Sequence, residues 1–270
     1  MALLKCVECG GKVSSRAAAC PHCGCPVDEG EIVAETIKSN ADEPKESFNT
    51  IRTRESVLKK IREVRNSGER VLDLSNNFIT DLTPFRELTN LRTLTLNQNL
   101  ISDIDPLREL TQLEFLNVEE NRISDFSPLA GLRKLTSLNL SANQISDLST
   151  LVAPLKRLAN LGSLRLQRNL ISDLNPLREL TQLKALMLGE NRISDLTPLG
   201  DLENLTGLSV EYNLISDITP LKVLSNLITL TVYGNKLPAL FGKHAERLKN
   251  ANPKLHITYK KPEGFSSSPW

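Results

Sequence analysis

Residues 91–103 read LRTLTLNQNLISD, and copies of this stretch recur along most of the chain. The copies occupy residues 69–81, 113–125, 135–147, 161–173, 183–195, 205–217 and 227–237, of which the first and the last are degenerate. Each copy contains one asparagine at the same position, and these anchor asparagines are Asn77, Asn99, Asn121, Asn143, Asn169, Asn191, Asn213 and Asn235. They lie 22 residues apart, except for one interval of 26 residues between Asn143 and Asn169. A fixed period of this length is typical of a repeat protein.

The first half of each repeat predicts a short strand followed by a turn. Leu94 and Leu96 alternate with polar residues, as they would in a strand with one buried face. Asn99 follows where the chain leaves the strand, and its amide carries both donors and acceptors for backbone groups that helix and sheet would not satisfy. Stacking the copies therefore predicts a parallel sheet beside an internal ladder of asparagine side chains.

The second half of each repeat predicts a short helical turn. After Ile-Ser-Asp comes a pair such as Thr83-Pro84 or Asp105-Pro106, followed by two apolar residues three positions apart. The first residue of the pair is of a type that caps helices, and proline favours the first helical position, so we expect a short helix or 3₁₀ turn here. The longer interval has four additional residues near 151–154, roughly one helical turn, which are either a tolerated insertion or a contact site.

The pattern L-x-x-L-x-L-x-x-N-x-I/L in residues 69–237 resembles the leucine-rich repeat. Units of 22 residues with Pro-Leu-x-x-Leu in their second half resemble the protein-phosphatase-regulator and internalin subclass. The resemblance implies a bacterial leucine-rich-repeat protein whose fold is an α/β solenoid. Such a horseshoe carries a parallel β-sheet on its concave face and short helices or 3₁₀ turns on its convex face.

Both ends of the repeat region are predicted to be capped. In residues 51–68, apolar residues recur with the period of an amphipathic helix. This helix would cover the apolar side of the first strand as an amino-terminal cap, with docking of a partner as the alternative. Residues 238–262 resemble a carboxy-terminal cap with a helix at 238–250 and a strand at 255–259, and residues 263–270 are expected to form a tail.

A separate module is expected in residues 1–27, which contain all five cysteines. Four of them form two Cys-x-x-Cys pairs, each followed by glycine: Cys6, Cys9, Cys20 and Cys23. Two such pairs supply four thiolates to a tetrahedral Zn²⁺, and the segment resembles the short bacterial zinc ribbon. Because four thiolates close the coordination shell, we expect one structural zinc ion and no catalytic metal. Residues 28–50 are polar and charged, which is typical of a flexible linker.

The composition argues against nucleic acid and membranes as partners. The chain has 33 basic and 32 acidic residues, so it lacks the positive excess that phosphates and acidic lipids attract. No apolar run is long enough to span a bilayer. The amino terminus lacks the apolar core of a secretory signal, so we expect a cytoplasmic protein, in which clustered cysteines bind metal more often than they form disulfides.

We expect a binding or catalytic site on the strand residues that face the concave side, because the alternate strand residues are buried in the core. Most of them are small and polar, and they include neither a nucleophile paired with a base nor a histidine, so we expect no enzyme. A binding face would use the larger side chains, since aromatic residues, Met and Arg dominate interface energies. These candidates are Phe115, Arg165, Met187, Tyr212 and Tyr233. The two tyrosines belong to successive repeats and should lie about 5 Å apart.

These residues favour a cytoplasmic scaffold or adaptor that binds a partner protein on the concave face. Two alternatives stay open from the sequence. The resemblance to phosphatase regulators implies a regulatory subunit of a phosphatase or of another enzyme. A zinc ribbon also occurs in nucleic-acid contacts, although the positive side chains of residues 1–26 are cancelled by a thiolate-bound zinc.

Overall fold

The computed structural model describes residues 3–5, 12–14, 54–239 and 241–261. The chain divides into two compact units, Met1–Phe48 and Asn49–Trp270. In the first unit, strands β1 (Leu3–Lys5) and β2 (Lys12–Ser14) pair in antiparallel orientation. The four predicted zinc ligands, the predicted linker at 28–50 and the predicted tail at 263–270 lie outside the described residues.

The second unit is built on a parallel sheet of nine strands that follow one another in chain order. The strands are β3 (Val71–Asp73), β4 (Thr93–Thr95), β5 (Phe115–Asn117), β6 (Ser137–Asn139), β7 (Ser163–Arg165), β8 (Ala185–Met187), β9 (Gly207–Ser209), β10 (Thr229–Thr231) and β11 (His256–Thr258). In β4 the predicted alternation is observed, since Leu94 and Leu96 are fully buried while Thr93 and Thr95 are half-buried. The predicted parallel sheet of a leucine-rich-repeat solenoid is therefore confirmed.

The anchor asparagines join each repeat to the one before it. Asn99 Nδ2 donates to Leu96 O at 2.8 Å and to Leu74 O of the preceding repeat at 3.0 Å. Asn99 Oδ1 accepts from Asn77 N at 3.0 Å and from Ile79 N at 2.9 Å. Asn77 stands at the start of this ladder, and its buried Oδ1 has no hydrogen-bond partner among the described residues.

Short helical segments follow each strand on the other side of the core. Six are 3₁₀ turns: Thr83–Phe85, Asp105–Glu109, Ser127–Gly131, Asn175–Leu177, Thr197–Asp201 and Thr219–Val223. The repeat with the 26-residue interval instead contains helix α2 (Ser149–Lys156), so its additional residues lengthen the turn into an α-helix. The predicted helices or 3₁₀ turns are thus present.

The 3₁₀ turns begin differently from the sequence prediction. We expected the polar residue before proline, such as Thr83, to act as the cap, but it is the first residue of the turn, and Leu82 before it makes no side-chain cap hydrogen bond. The predicted cap is therefore wrong. Asp81 Oδ1 accepts from Thr83 N at 2.8 Å instead, because aspartate readily bonds the backbone two residues on. The equivalent aspartates are Asp103, Asp125, Asp147, Asp173, Asp195 and Asp217.

One helix precedes the first strand of the sheet, and another connects its last two strands. Helix α1 (Arg54–Ser67) buries Val57, Ile61 and Val64 in the common core, and Gly68, with φ of 72°, follows it. Helix α3 (Phe241–Ala251) begins three residues later than predicted, after a turn in which Phe241 N donates to Pro238 O at 2.9 Å. Strand β11 then adds to the sheet beside β10. No helix in the described part of the chain is long and apolar enough to cross a membrane.

Candidate partner-binding face

The face of the sheet that is turned away from the core is built from four rows of side chains, with one residue per repeat in each row. We call this surface the concave face. The strand register aligns the first residues of the strands in row one and the third residues in row two. Backbone hydrogen bonds continue past the strands, for example from Gln98 N to Glu119 O at 2.9 Å, and align two further residues of each repeat.

The four rows differ in composition. Row one comprises Val71, Thr93, Phe115, Ser137, Ser163, Ala185, Gly207, Thr229 and His256. Row two comprises Asp73, Thr95, Asn117, Asn139, Arg165, Met187, Ser209, Thr231 and Thr258. Row three comprises Ser75, Asn97, Glu119, Ser141, Gln167, Gly189, Glu211 and Tyr233, and row four comprises Asn76, Gln98, Glu120, Ala142, Arg168, Glu190, Tyr212 and Gly234. Every residue of row four has a positive φ, so this row marks the rim at which the extended strand ends.

The two candidate tyrosines contact each other at this rim. The ring centroids of Tyr212 and Tyr233 lie 5.3 Å apart at an interplanar angle of 88°, an edge-to-face arrangement. Gly234 makes room for this pair, because a Cβ at that position would lie 2.5 Å from Cδ1 of Tyr212. Tyr212 remains 37% exposed. An aromatic pair with one open ring is therefore available for binding.

A buried carboxylate lies beside the tyrosines. Glu211 precedes Tyr233 in row three and is only 8% exposed. It accepts hydrogen bonds from Ser209 Oγ and, at 3.3 Å, from Gln167 Nε2. Its side chain crosses the repeat between them because Gly189 has no side chain, and a Cβ there would collide with the Glu211 carboxylate. Sequence reasoning placed Glu211 on the concave face but did not single it out as a site residue.

Comparison with known proteins identifies the family of these repeats. A family model described as Leucine Rich repeats (2 copies) matches residues 70–109 and 111–157. The solved structure of internalin C2 from Listeria monocytogenes is 31% identical to the chain, with a TM-score of 0.64. The match covers 75% of this chain and 92% of that one. The chain belongs to the leucine-rich-repeat family.

A second solved structure supports the same fold. A leucine-rich-repeat protein of Leptospira interrogans is 25% identical, with a TM-score of 0.57, and the match covers 77% of this chain. The chain spans 58% of that protein's length. No curated protein matches the chain. The predicted internalin-like repeats are therefore confirmed, and leucine-rich-repeat coils in general serve as protein-interaction scaffolds.

The other predicted binding residues of the leucine-rich-repeat coil lie apart from the tyrosines. Arg165 and Met187 face each other in register on β7 and β8 in row two. Phe115 is half-buried in row one, between Thr93 and Ser137. The five residues proposed from the sequence therefore form three groups: an aromatic pair at the rim, an Arg-Met pair in row two and a separate phenylalanine.

The ninth strand corrects one expectation about the concave face. Register places His256 opposite Thr229, so it joins row one as an exposed side chain. The prediction that this face has no histidine is therefore wrong, because it was based on the repeats alone and left out the cap strand.

Charge is distributed unevenly over the rows. Five carboxylates belong to them, from Asp73, Glu119, Glu120, Glu190 and Glu211, against the guanidiniums of Arg165 and Arg168. Arg168 Nη1 donates to Glu120 Oε1 at 2.5 Å across the small Ala142. Burial raises the pKa of the Tyr233 hydroxyl, and the charges of Glu211, Tyr212 and Glu190 raise it further. The concave face is therefore acidic near the aromatic pair, although the whole chain is almost neutral.

Proposed function

We propose that the chain is a protein-interaction scaffold or adaptor that binds a partner protein on the concave face. The observation that carries this proposal is the aromatic pair, Tyr212 and Tyr233, on the rim of that face. Tyrosine offers a large, stiff contact surface with a polar tip, and such residues are enriched among interface hot spots. Arg165 and Met187 add two further side chains of the types favoured at interfaces.

The rest of the repeat is committed to the fold. Leucines such as Leu164, Leu166 and Leu186 are fully buried, and the anchor asparagines use their amides within the ladder. The exposed residues of the four rows take no part in this packing. Binding rather than unaided catalysis is the function that such a surface supports.

A pull-down with the immobilised full chain tests the proposal. We expect at least one specific protein to be captured by the intact chain and lost from a Tyr212→Ala/Tyr233→Ala variant. The matched control is Phe78→Ala/Val223→Ala, which removes two exposed apolar side chains outside the rows and should leave the capture unchanged. Equal recovery by the intact chain and the tyrosine variant would refute the choice of face. Recovery of a phosphatase would support the regulatory alternative.

We also propose that Cys6, Cys9, Cys20 and Cys23 hold one structural zinc ion. The support is their spacing, together with the antiparallel pairing of β1 and β2, which flank the first Cys-x-x-Cys pair in sequence. The thiolates would bind the ion and stabilise a segment too small for a core of its own. Elemental analysis should find one zinc per chain, and none after Cys6→Ser/Cys9→Ser.

Two further predictions concern the ribbon and the location of the protein. If the ribbon contacts nucleic acid, the chain should be retained on DNA or RNA at low salt and should lose this retention when residues 1–26 are deleted. Equal retention would dismiss that alternative. We propose a cytoplasmic location, and cell fractionation tests it.

A further inference from the structure

We propose that the rim formed by Tyr212, Tyr233 and Glu211 receives a lysine or arginine side chain of the partner. This inference rests on the proposed function, because it specifies the chemistry of a partner that binds the concave face. We call these three residues the cation corner. The predicted ligand is thus a basic segment of a protein.

The first argument is the unbalanced charge of Glu211. The residue is 8% exposed, yet its carboxylate forms no ion pair with a basic side chain among the described residues. Its hydrogen-bond partners among the described residues, Ser209 and Gln167, are both neutral. A buried charge without a counter-ion is costly, so a cation that arrives with the partner would be attracted to this position.

The second argument is the pair of aromatic rings beside that carboxylate. Neither the Tyr212 nor the Tyr233 hydroxyl forms a hydrogen bond within the described residues, so both polar tips are available to a ligand. Ring faces attract ammonium and guanidinium groups, and this attraction grows when the cation is partly desolvated. Glu211 immediately precedes Tyr212 in the chain, and its negative charge acts on the Tyr233 hydroxyl. A cation at the tyrosine pair would therefore meet both aromatic rings and a nearby negative charge.

The third argument is that two glycines make room for the Glu211 and Tyr212 side chains. Gly189 lets the Glu211 side chain lie across the preceding repeat, and Gly234 lets the Tyr212 ring lie across the following one. The basic residues of the rows do not complete the site. Arg168 pairs with Glu120, and Arg165 forms no ion pair with Glu211 among the described residues.

The test uses the full chain and a fluorescently labelled hexalysine peptide, with hexaglutamate of the same length as the control probe. Binding is measured by fluorescence anisotropy at roughly 0.15 M salt, where charges farther apart than about 8 Å are largely screened. We expect hexalysine to bind and hexaglutamate not to bind. Tyr233→Leu should weaken hexalysine binding roughly fivefold, the size of one cation–π contact. Glu211→Gln should weaken it roughly tenfold or more, the size of a desolvated charge pair.

The control variant is Asp73→Asn, which removes a carboxylate from the opposite end of the same face and should change the affinity by less than about twofold. Because a substitution within the cation corner could alter folding, a second pair of variants leaves the three corner residues unsubstituted. Gly189→Ala should displace Glu211 and weaken binding, whereas Gly162→Ala, where a Cβ meets nothing closer than 3.9 Å, should not. Circular dichroism confirms that each variant is folded.

Absence of hexalysine binding, or equal weakening by Asp73→Asn and Glu211→Gln, would overturn the inference. The proposed function would survive this result if the tyrosine variant still lost its protein partner in the pull-down. Conversely, corner-dependent binding of hexalysine with unchanged capture by the tyrosine variant would refute the proposed function and leave the cation site. The two failures are therefore distinguishable.

Discussion

Replacing Asn169 with alanine should destabilise the protein far more than the same change at Asn77, although both asparagines are buried members of one ladder. Asn169 Oδ1 accepts from Asn143 N at 3.0 Å and from Ile145 N at 2.9 Å, and its Nδ2 donates to Leu166 O at 3.0 Å. Alanine would leave two buried N–H groups without acceptors. Each such group costs about 1–3 kcal/mol, so we expect a total loss of about 2–6 kcal/mol.

Asn77 provides the matched control because it begins the ladder. Its Oδ1 accepts no hydrogen bond among the described residues, and its Nδ2 donates to Ser75 O at 2.7 Å. Alanine there leaves no N–H group without its acceptor, so the loss should stay below about 1 kcal/mol. Equilibrium urea unfolding followed by circular dichroism measures both variants, and an unchanged slope shows that the same unit unfolds. Equal losses, or a larger loss at Asn77, would refute the hydrogen-bond account of the ladder.

Three further predictions follow from the packing and the charges. Leu166→Ala removes a fully buried side chain and should cost about 2–5 kcal/mol in the same unfolding assay. Hydrogen bonds from Thr197 lower the pKa of Asp195 in the folded protein. The ionised carboxylate therefore stabilises the fold above its unfolded pKa, and this stability is lost as the pH falls through the lower folded pKa. Asp195→Asn should make the melting temperature less sensitive to acid, as measured by thermal melts at falling pH. Glu211→Gln removes a negative charge that raises the pKa of Tyr233, so that pKa should fall in an ultraviolet titration.

Most of the fold could be predicted from the repeat period, because every copy must stack on its neighbours in the same way. The apolar alternation of Leu94 and Leu96 and the recurring Asn99 predicted the sheet and the ladder that the structure contains. Each 3₁₀ turn begins near two residues of a type that can cap a helix, such as Asp81 and Thr83, and residue type alone does not show which of them caps the turn. Only the backbone geometry shows that Asp81, rather than Thr83, satisfies the first N–H group of the turn.

The site was harder to predict because it depends on two glycines, Gly189 and Gly234, at positions where most other repeats carry a side chain. Tyr212 and Tyr233 were selected for their size, and their contact follows from the repeat spacing. The role of Glu211 depends on Gly189, which lies one repeat earlier in the same row. The signal in the sequence was the pair of glycines in rows three and four, where the other repeats carry side chains. His256 was missed for a different reason, since it lies on a strand outside the repeat period.

The cation corner costs stability that the fold has no reason to lose. Stacking needs the buried leucines and the anchor asparagines, and a neutral side chain in place of Glu211 would satisfy it equally well. Burying that carboxylate without a counter-ion is unfavourable. The arrangement also needs two coordinated departures from the neighbouring repeats, Glu211 with Gly189 and Tyr212 with Gly234. The fold accounts for Gly234 in part, because every residue of row four has a positive φ, which glycine adopts without strain. The charge of Glu211 is the feature that a basic residue of the proposed partner would balance.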